Sequence, residues 1–296
     1  MPSQAWELRK GDPRYPDMLC DLTAPPERLY GCGSLDVLSE PCLSVVGARR
    51  ATPYGIAVAE MAGRVAAECD VVVVSGGAMG CDHAAARAAL DAGGRTIVIS
   101  GCGADVVYPA SSTDIYRDAV ARGGAVISTE RWGTGPRRYA FPKRNTLIAA
   151  LSQCLLVVEA GAKSGTMTTA DAAVELERTI YAIPGSIFSP NSSGTNRLIV
   201  EGARVIPDEP SLELVISLDY GIARFSRQET RGEPQGRVMS ALVASPSRPD
   251  ELAERLNEDI LTLLRTLTDY ELRGIVAKLP DGRYSPTREY FLGENG

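Results

Sequence analysis

From about residue 43 to 206, short β-branched runs alternate with longer alanine-rich segments. The runs are LSVVG (43–47), VVVVS (71–75), TIVIS (96–100), AVIS (125–128), CLLVVEA (154–160) and TIYAI (179–183). The segments between them predict helices near 54–68, 82–92, 111–122, 144–152, 166–177 and 194–202. Continuous apolar strands alternating with amphipathic helices specify a mainly parallel sheet covered on both faces. The expected fold class is therefore α/β, a doubly wound domain over residues 41–219. Gly47, Gly76 with Gly77, Gly101 with Gly103, and Gly161 with Gly165 each follow a strand. They fall at the carboxyl edge, where such sheets bind ligands.

The flanks read differently. Residues 1–40 carry PRYPDML and APPERLYGCGS, a proline-punctuated stretch too short for its own core, and predict an N-terminal extension packed on the main domain. The stretch 220–249 is rich in Arg, Gln, Glu, Ser, Pro and Gly and reads as a linker. In 250–296, DELAERLN, DILTLLRTL and YELRGIVAKL suggest three helices and PDGRYSPT a hairpin. Three helices and a wing describe a small winged-helix-like domain.

Composition adds limits. The 296 residues are 44% hydrophobic and 23% charged, which supports a sizeable core and excludes disorder throughout. No window approaches the roughly 18 uninterrupted apolar residues of a membrane span, and MPSQAWELRKGDPRYP has no apolar signal region. A soluble cytoplasmic protein with no membrane partner is expected. The seven cysteines are odd in number and form no CxxC pair, and His83 is the single histidine. That pattern suits reduced core thiols, with no disulfide framework, no metal site and no cofactor.

The net charge of −6 taken alone argues against a polyanion, but its distribution reverses the argument. Between Glu130 and Glu159 there is no acidic residue, while Arg131, Arg137, Arg138, Lys143 and Arg144 are all basic. Between Glu40 and Glu60 the only charged residues are Arg49 and Arg50. Acid-free basic loops on an acidic protein focus a positive field on one surface.

Four motifs could carry chemistry. In VVGARRATPYG (45–55), Arg49 and Arg50 lie in a turn between Gly47 and a helix, where amides and guanidinium groups could meet one phosphate. In VVVVSGGAMGCDHAAARAAL (71–90), Gly76, Gly77 and Gly80 allow close ligand approach and Asp82 can cap the next helix. The dinucleotide fingerprint GxGxxG is absent there. In RRYAFPKRNTLIAALS (137–152), Arg138, Phe141, Lys143, Arg144 and Asn145 combine charge, stacking surface and amide hydrogen bonding, which single-stranded nucleic acid requires. In EAGAKSGTMTTA (159–170), Lys163, Ser164, Gly165 and Thr166 lead into a helix N-terminus, a cradle for phosphate without the Walker A pattern. Two of only four lysines, Lys143 and Lys163, fall in these loops. No Ser/His/Asp triad assembles around His83, and Asp82, Asp105 and Glu159 stand isolated, so no catalytic residue is assigned.

Taken in order, these motifs resemble the DprA/Smf family of DNA-processing proteins. The resemblance runs from PRYPDML and PPERLYGCGS through CGADVVYP to AIPGSIFSPNSSGTNRLIVEGA, about residues 13–210, and weakly into the C-terminal segment. It implies a Rossmann-like domain that is not an enzyme. Such a domain binds and protects single-stranded DNA in natural transformation, delivers strands to the RecA recombinase, and forms a homodimer. It further implies DNA contacts at Arg49, at Arg138, Phe141, Arg144 and Asn145, and at the loop Ser164, Gly165 and Thr166. Two departures stand out: Ala86 occupies the place of the family's histidine, with His83 displaced nearby, and Ala48 precedes Arg49 where serine is frequent. The acids Asp250, Glu251, Glu254, Glu258 and Asp259 suit the C-terminal domain to a protein contact rather than to phosphates.

Two other functions fit the glycine loops. SGGAMG and the 159–170 loop also resemble the LOG-type phosphoribohydrolases, which cleave nucleoside monophosphates, but the helix glutamate of that family is missing after Thr166. A nucleotide sensor, binding in the pocket of Gly47, Gly76, Gly77, Gly80 and Asp82 without turnover, is the third reading.

Overall fold

A computed structural model describes residues 4–222 and 236–292, which belong to two compact units divided near Arg224. In the first unit the elements are β1 (Ala5–Arg9), β2 (Arg28–Gly33), β3 (Cys42–Val46), α1 (Pro53–Glu68), β4 (Val72–Ser75), α2 (Cys81–Asp91), β5 (Thr96–Ile99) and α3 (Thr113–Ala121). There follow β6 (Ala125–Ser128), α4 (Ala140–Ala150), β7 (Cys154–Val157), α5 (Gly165–Glu175), β8 (Thr179–Ala182), α6 (Ser193–Val200), β9 (Arg204–Val205) and α7 (Glu209–Tyr220).

The nine strands form one sheet in the order β1-β2-β6-β5-β4-β3-β7-β8-β9. The seven from β3 to β9 are parallel, β2 adds antiparallel to β6, and β1 adds antiparallel to β2. The chain winds outward from β3 through β4, β5 and β6, then returns to the other side of β3 with β7. The strand order therefore reverses at β3, and that switch point is where open α/β sheets bind ligands.

Alternation along each strand sends its side chains to two different cores. Cys42 and Val46 of β3, Val72 and Val74 of β4, and Leu155 and Val157 of β7 meet Leu147, Ile148 and Ala170 on one face. Leu43, Val45, Val73 and Leu156 meet Ala59, Ala62, Ala85 and Leu212 on the other. Both faces being apolar explains the uninterrupted hydrophobic runs.

Four expectations need correction. The segment 1–40 supplies two strands of the sheet and places Leu8, Leu19, Leu29 and Val37 in the main core, so it is an integral edge rather than an extension packed outside. Its pairing depends on Gly31, which leaves room for the Trp6 ring across the ladder. The helix expected at 144–152 begins at Ala140, because Pro142 is tolerated in a first helical turn where its missing N–H is not needed. The stretch 220–249 contains a helix, α8 (Gly236–Ala244); the remainder of that proposed linker at 223–235 lies outside the described residues. Finally, DILTLLRTL and YELRGIVAKL do not make two helices.

The second unit consists of α8, α9 (Pro249–Leu256), α10 (Ile260–Leu272), β10 (Val276–Lys278), β11 (Tyr284–Pro286) and α11 (Arg288–Leu292). Helix α10 runs unbroken from the cap at Asp259, which accepts from Thr262 N at 2.9 Å, to Gly274 at φ 71°. That glycine ends the helix, and Val276–Lys278 become the first strand of an antiparallel wing. Met239 and Leu242 of α8 are buried with Leu252, Leu263, Leu267 and Tyr284, so α8, α9 and α10 are the three helices of the winged-helix core.

All seven cysteines are free thiols, six of them buried and Cys20 exposed. Among the described residues no helix is long and apolar enough to cross a membrane.

Candidate nucleic-acid interface

The carboxyl ends of β3, β4 and β5 surround a pocket of about 50 Å³, room for a few waters or one tetrahedral anion. Gly76 and Ala78 follow β4, Gly101 follows β5, Arg49 follows β3, and Phe141 and Arg144 descend from α4. Met79, Tyr108 and Pro109 complete the wall.

Helical spacing decides what α4 contributes. Ala140, Arg144, Leu147, Ile148 and Leu151 share the buried face, so Arg144 occupies a core position on the apolar stripe. Its residue exposure is 5%. Nη1 donates to Ile99 O at 3.3 Å, and Nε has no partner among the protein's own groups. A Cβ at Gly76 would overlap this guanidinium, so only glycine leaves room for the arginine beneath β4.

Asp82 is the countercharge. It is buried in the first turn of α2 and accepts from Gly76 N at 3.0 Å. Burial pushes the Asp82 carboxyl up, and the Arg144 charge with the amides of Gly76, Gly47 and Ala78 works against that. Burial likewise pushes Arg144 down, opposed chiefly by Asp82. Gly80, at φ 80°, turns the chain into α2 where a side chain would collide with the Ala48 carbonyl.

Around this buried pair stand exposed cations. Arg49 and Arg50 are exposed in the turn after Gly47, and the Arg49 guanidinium lies 5.7 Å from the centroid of Phe141. Phe141 is half-buried, packs over Gly101 and meets Tyr108 at 5.6 Å. Arg138, Lys143 and Lys163 are exposed. Among the described residues none of Arg49, Arg50, Arg138, Lys143 and Lys163 makes an ion pair. By contrast Arg64, Arg87, Arg178, Arg197 and Arg204 each hold a carboxylate. These five unpaired cations lie at the carboxyl edge of the sheet, Lys143 in the first turn of α4 and the others on loops.

Several residues expected to face a ligand are occupied. Asn145 Nδ2 donates to Gly165 O at 3.1 Å and to Thr168 Oγ1 at 2.9 Å, tying α4 to the start of α5. Thr166 is buried and donates to Gly47 O at 3.0 Å. Both side chains tie neighbouring elements together. Arg144 is buried and forms part of the pocket's lining. Gly47 is buried against Cys81, and Gly77 N donates weakly to Ser75 Oγ at 3.4 Å, so these two shape the loop from behind. Ser164 and Gly165 open α5, with the Ser164 hydroxyl buried and unpartnered at the helix N-terminus.

The acids that could serve catalysis are committed elsewhere. Glu159 accepts from Thr52 N at 2.9 Å and Thr52 Oγ1 at 2.8 Å, fixing the start of α1. Asp105 accepts from Gly133 N at 2.8 Å, and His83 Nε2 sits 3.1 Å from Asp114. Sequence reasoning missed Tyr108, Met79 and Tyr54; an aromatic beside proline at a strand exit was the available signal for the first.

Residues 7–214 match the family model of DNA recombination-mediator protein A, and residues 226–282 that of the DprA winged helix domain. The chain belongs to the DprA/Smf family. It is 31% identical to Protein Smf of Escherichia coli over 90% of this chain and 74% of that one. It is 38% identical to the DNA processing protein DprA of Streptococcus pneumoniae over 66% of this chain and 68% of that one. The crystal structure of the S. pneumoniae DprA superposes with a TM-score of 0.66 at 35% identity, covering 71% of this chain and 74% of the other. The DNA processing protein A of Helicobacter pylori, whose structure describes its single-stranded DNA binding mode, matches at 30% identity and TM-score 0.66 over 73% and 97%. In DprA/Smf terms, the Rossmann-like unit and the winged helix are the two parts the family models divide.

Proposed function

We propose that the carboxyl edge of the DprA/Smf sheet binds single-stranded DNA without catalysis. The observation that carries this is the set of exposed cations without carboxylate partners, Arg49, Arg138, Lys143 and Lys163, around a pocket floored by Arg144 and walled by Phe141. One phosphate sits over the pocket, between the Arg49 side chain at its wall and the Arg144 guanidinium in its floor. Phe141 offers its face to the adjoining base. The phosphoribohydrolase reading loses support, since Glu159, Asp82 and Asp105 are all engaged by backbone amides.

The strand so held is protected and passed to the RecA recombinase during transformation. The chain works as a homodimer; the open edge strand β9 with exposed Val205, beside exposed Val200, favours this. In the winged helix, Leu261, Leu264 and Leu272 are exposed on α10, which suits a protein contact better than phosphates. Fluorescence anisotropy with a single-stranded oligonucleotide, its duplex and AMP at two salt concentrations tests the proposal. Four neutralised phosphates predict a log–log salt slope of about −2.8 for the single strand. A flat salt response, or AMP binding with no affinity for the strand, refutes it.

A further inference from the structure

The turn after β8 has no part in the site described above. Ser189 N donates to Ser186 O at 3.0 Å and Phe188 N to the Ser186 hydroxyl at 3.2 Å, closing a tight turn. Its two central residues, Ile187 and Phe188, are 84% and 90% exposed, and among the described residues Phe188 is the most exposed large apolar side chain. Single exposed apolar residues are ordinary, but an adjacent pair at the tip of a fixed turn calls for a partner.

The turn is held from three sides. Asn196 pairs with Gly185 through both amide atoms, at 3.1 and 3.0 Å. The Tyr54 hydroxyl, in the first turn of α1 just after Arg49 and Arg50, donates to Pro184 O at 3.0 Å. Ser193 Oγ donates to Pro190 O at 2.7 Å and accepts from Ala162 N at 3.0 Å, which joins the segment to the loop carrying Lys163. The exposed pair thus stands on the same sheet edge as the cations. Strand β8 is two strands from β3, roughly 10 Å away. That separation is within the span of a few nucleotides of a bound strand. Neither Arg178–Val200 nor Ala160–Ala170 contains an acidic residue, so no carboxylate from these segments repels a polyanion.

We propose that Phe188, backed by Ile187, is a second stacking platform for a base of the bound strand, a few nucleotides from the phosphate over the pocket. This rests on the reading of the edge as a single-stranded DNA site. An aromatic ring beside a branched aliphatic side chain, flanked by hydroxyls, amides and cations, matches the face of a nucleobase, which every nucleotide presents whatever its sequence.

The test uses the full chain with Phe188→Ala, Phe188→Trp and Lys163→Glu, titrated with labelled oligothymidine and with a strand of equal length made of abasic residues. Phe188→Ala is expected to weaken oligothymidine binding about tenfold. The salt slope, the affinity for the abasic strand and the melting temperature should not move, and Phe188→Trp should bind as wild type. Wild-type affinity in Phe188→Ala alongside weakened binding in Lys163→Glu overturns the platform and leaves the edge standing. Unchanged binding in both overturns platform and edge together. Equal losses on both strands exclude stacking, and a change in sedimentation of Phe188→Ala without DNA assigns the turn to a protein contact, which overturns the proposal as well.

Discussion

Replacing Arg144 by alanine should act first on stability. The guanidinium is the buried positive charge that favours the ionised Asp82 carboxylate without touching it, and removing it leaves that carboxylate with only backbone amides. Leaving one of two buried opposite charges uncompensated costs about 3–5 kcal/mol where they are in direct contact, which sets the upper end for Arg144 and Asp82. For a unit of this size each kcal/mol lowers the melting temperature by about 2–4 °C, so a fall of up to about 6–20 °C is expected. Both tryptophans, Trp6 and Trp132, lie in the first unit, so their fluorescence follows its unfolding separately from the winged helix. The diagnostic measurement is the cycle with Asp82→Ala, because deleting both charges should recover part of the loss, with a coupling of about 1–3 kcal/mol. A melting temperature for Arg144→Ala within about 2 °C of wild type, or costs that simply add, would refute the pairing.

Three further outcomes follow from the same geometry. Arg49→Ala and Lys163→Ala should each weaken single-stranded DNA binding regardless of sequence and reduce the salt slope by about 0.7, with no change in melting temperature; anisotropy at several salt concentrations checks this. Phe141→Ala should weaken binding by roughly 1–3 kcal/mol. It should also lower stability through its lost packing on Gly101 and Tyr108, and binding loss without destabilisation would contradict that half-buried position. Asp118 should titrate at about 2, held down by hydrogen bonds from Arg117 and then Arg87. Because the folded value lies below the ordinary 3.8, the pair stabilises the fold above that pH and its contribution fades as pH falls toward 2. An NMR titration with an ordinary midpoint, or no upward move in Arg87→Ala, would contradict it.

Six of the seven parallel strands were legible because burial on both faces leaves apolar runs, four of them closed by glycine or serine; the two-residue β9 has no such run. β1 and β2 were not, since their place depends on a distant fit, the Trp6 ring over Gly31 with its indole donating to Gly33 O at 3.0 Å. The helices of the winged unit were misdivided for a related reason. Thr268–Tyr270 looks like a break by propensity, yet burial of Leu267 and Tyr270 on one face carries α10 through it. In the candidate site the loops were found by charge and glycine spacing, whereas the division of labour within them was not. Asn145 and Thr166 spend their hydrogen bonds on neighbouring elements, which no local pattern announces.

Arg144 shows how a readable signal is lost when one boundary is wrong. With α4 started at residue 144, the arginine heads the helix and reads as a solvent-facing cation. Started at Ala140, it stands one turn after a buried alanine and one turn before Leu147 and Ile148, on the stripe that faces the sheet. A charge in that position needs both space and a counterion, and the chain supplies them from a different strand exit: Gly76 gives the space and Asp82 the charge, six residues apart in one loop. The three residues therefore form a single device. Arg144 lies in the floor of the pocket, and in the proposed binding mode the exposed cations Arg49, Arg138, Lys143 and Lys163 follow the strand's backbone. Phosphate contacts made by such long side chains are sequence-tolerant, and a rigid floor with an adaptable rim is the arrangement that a non-specific single-strand binder requires.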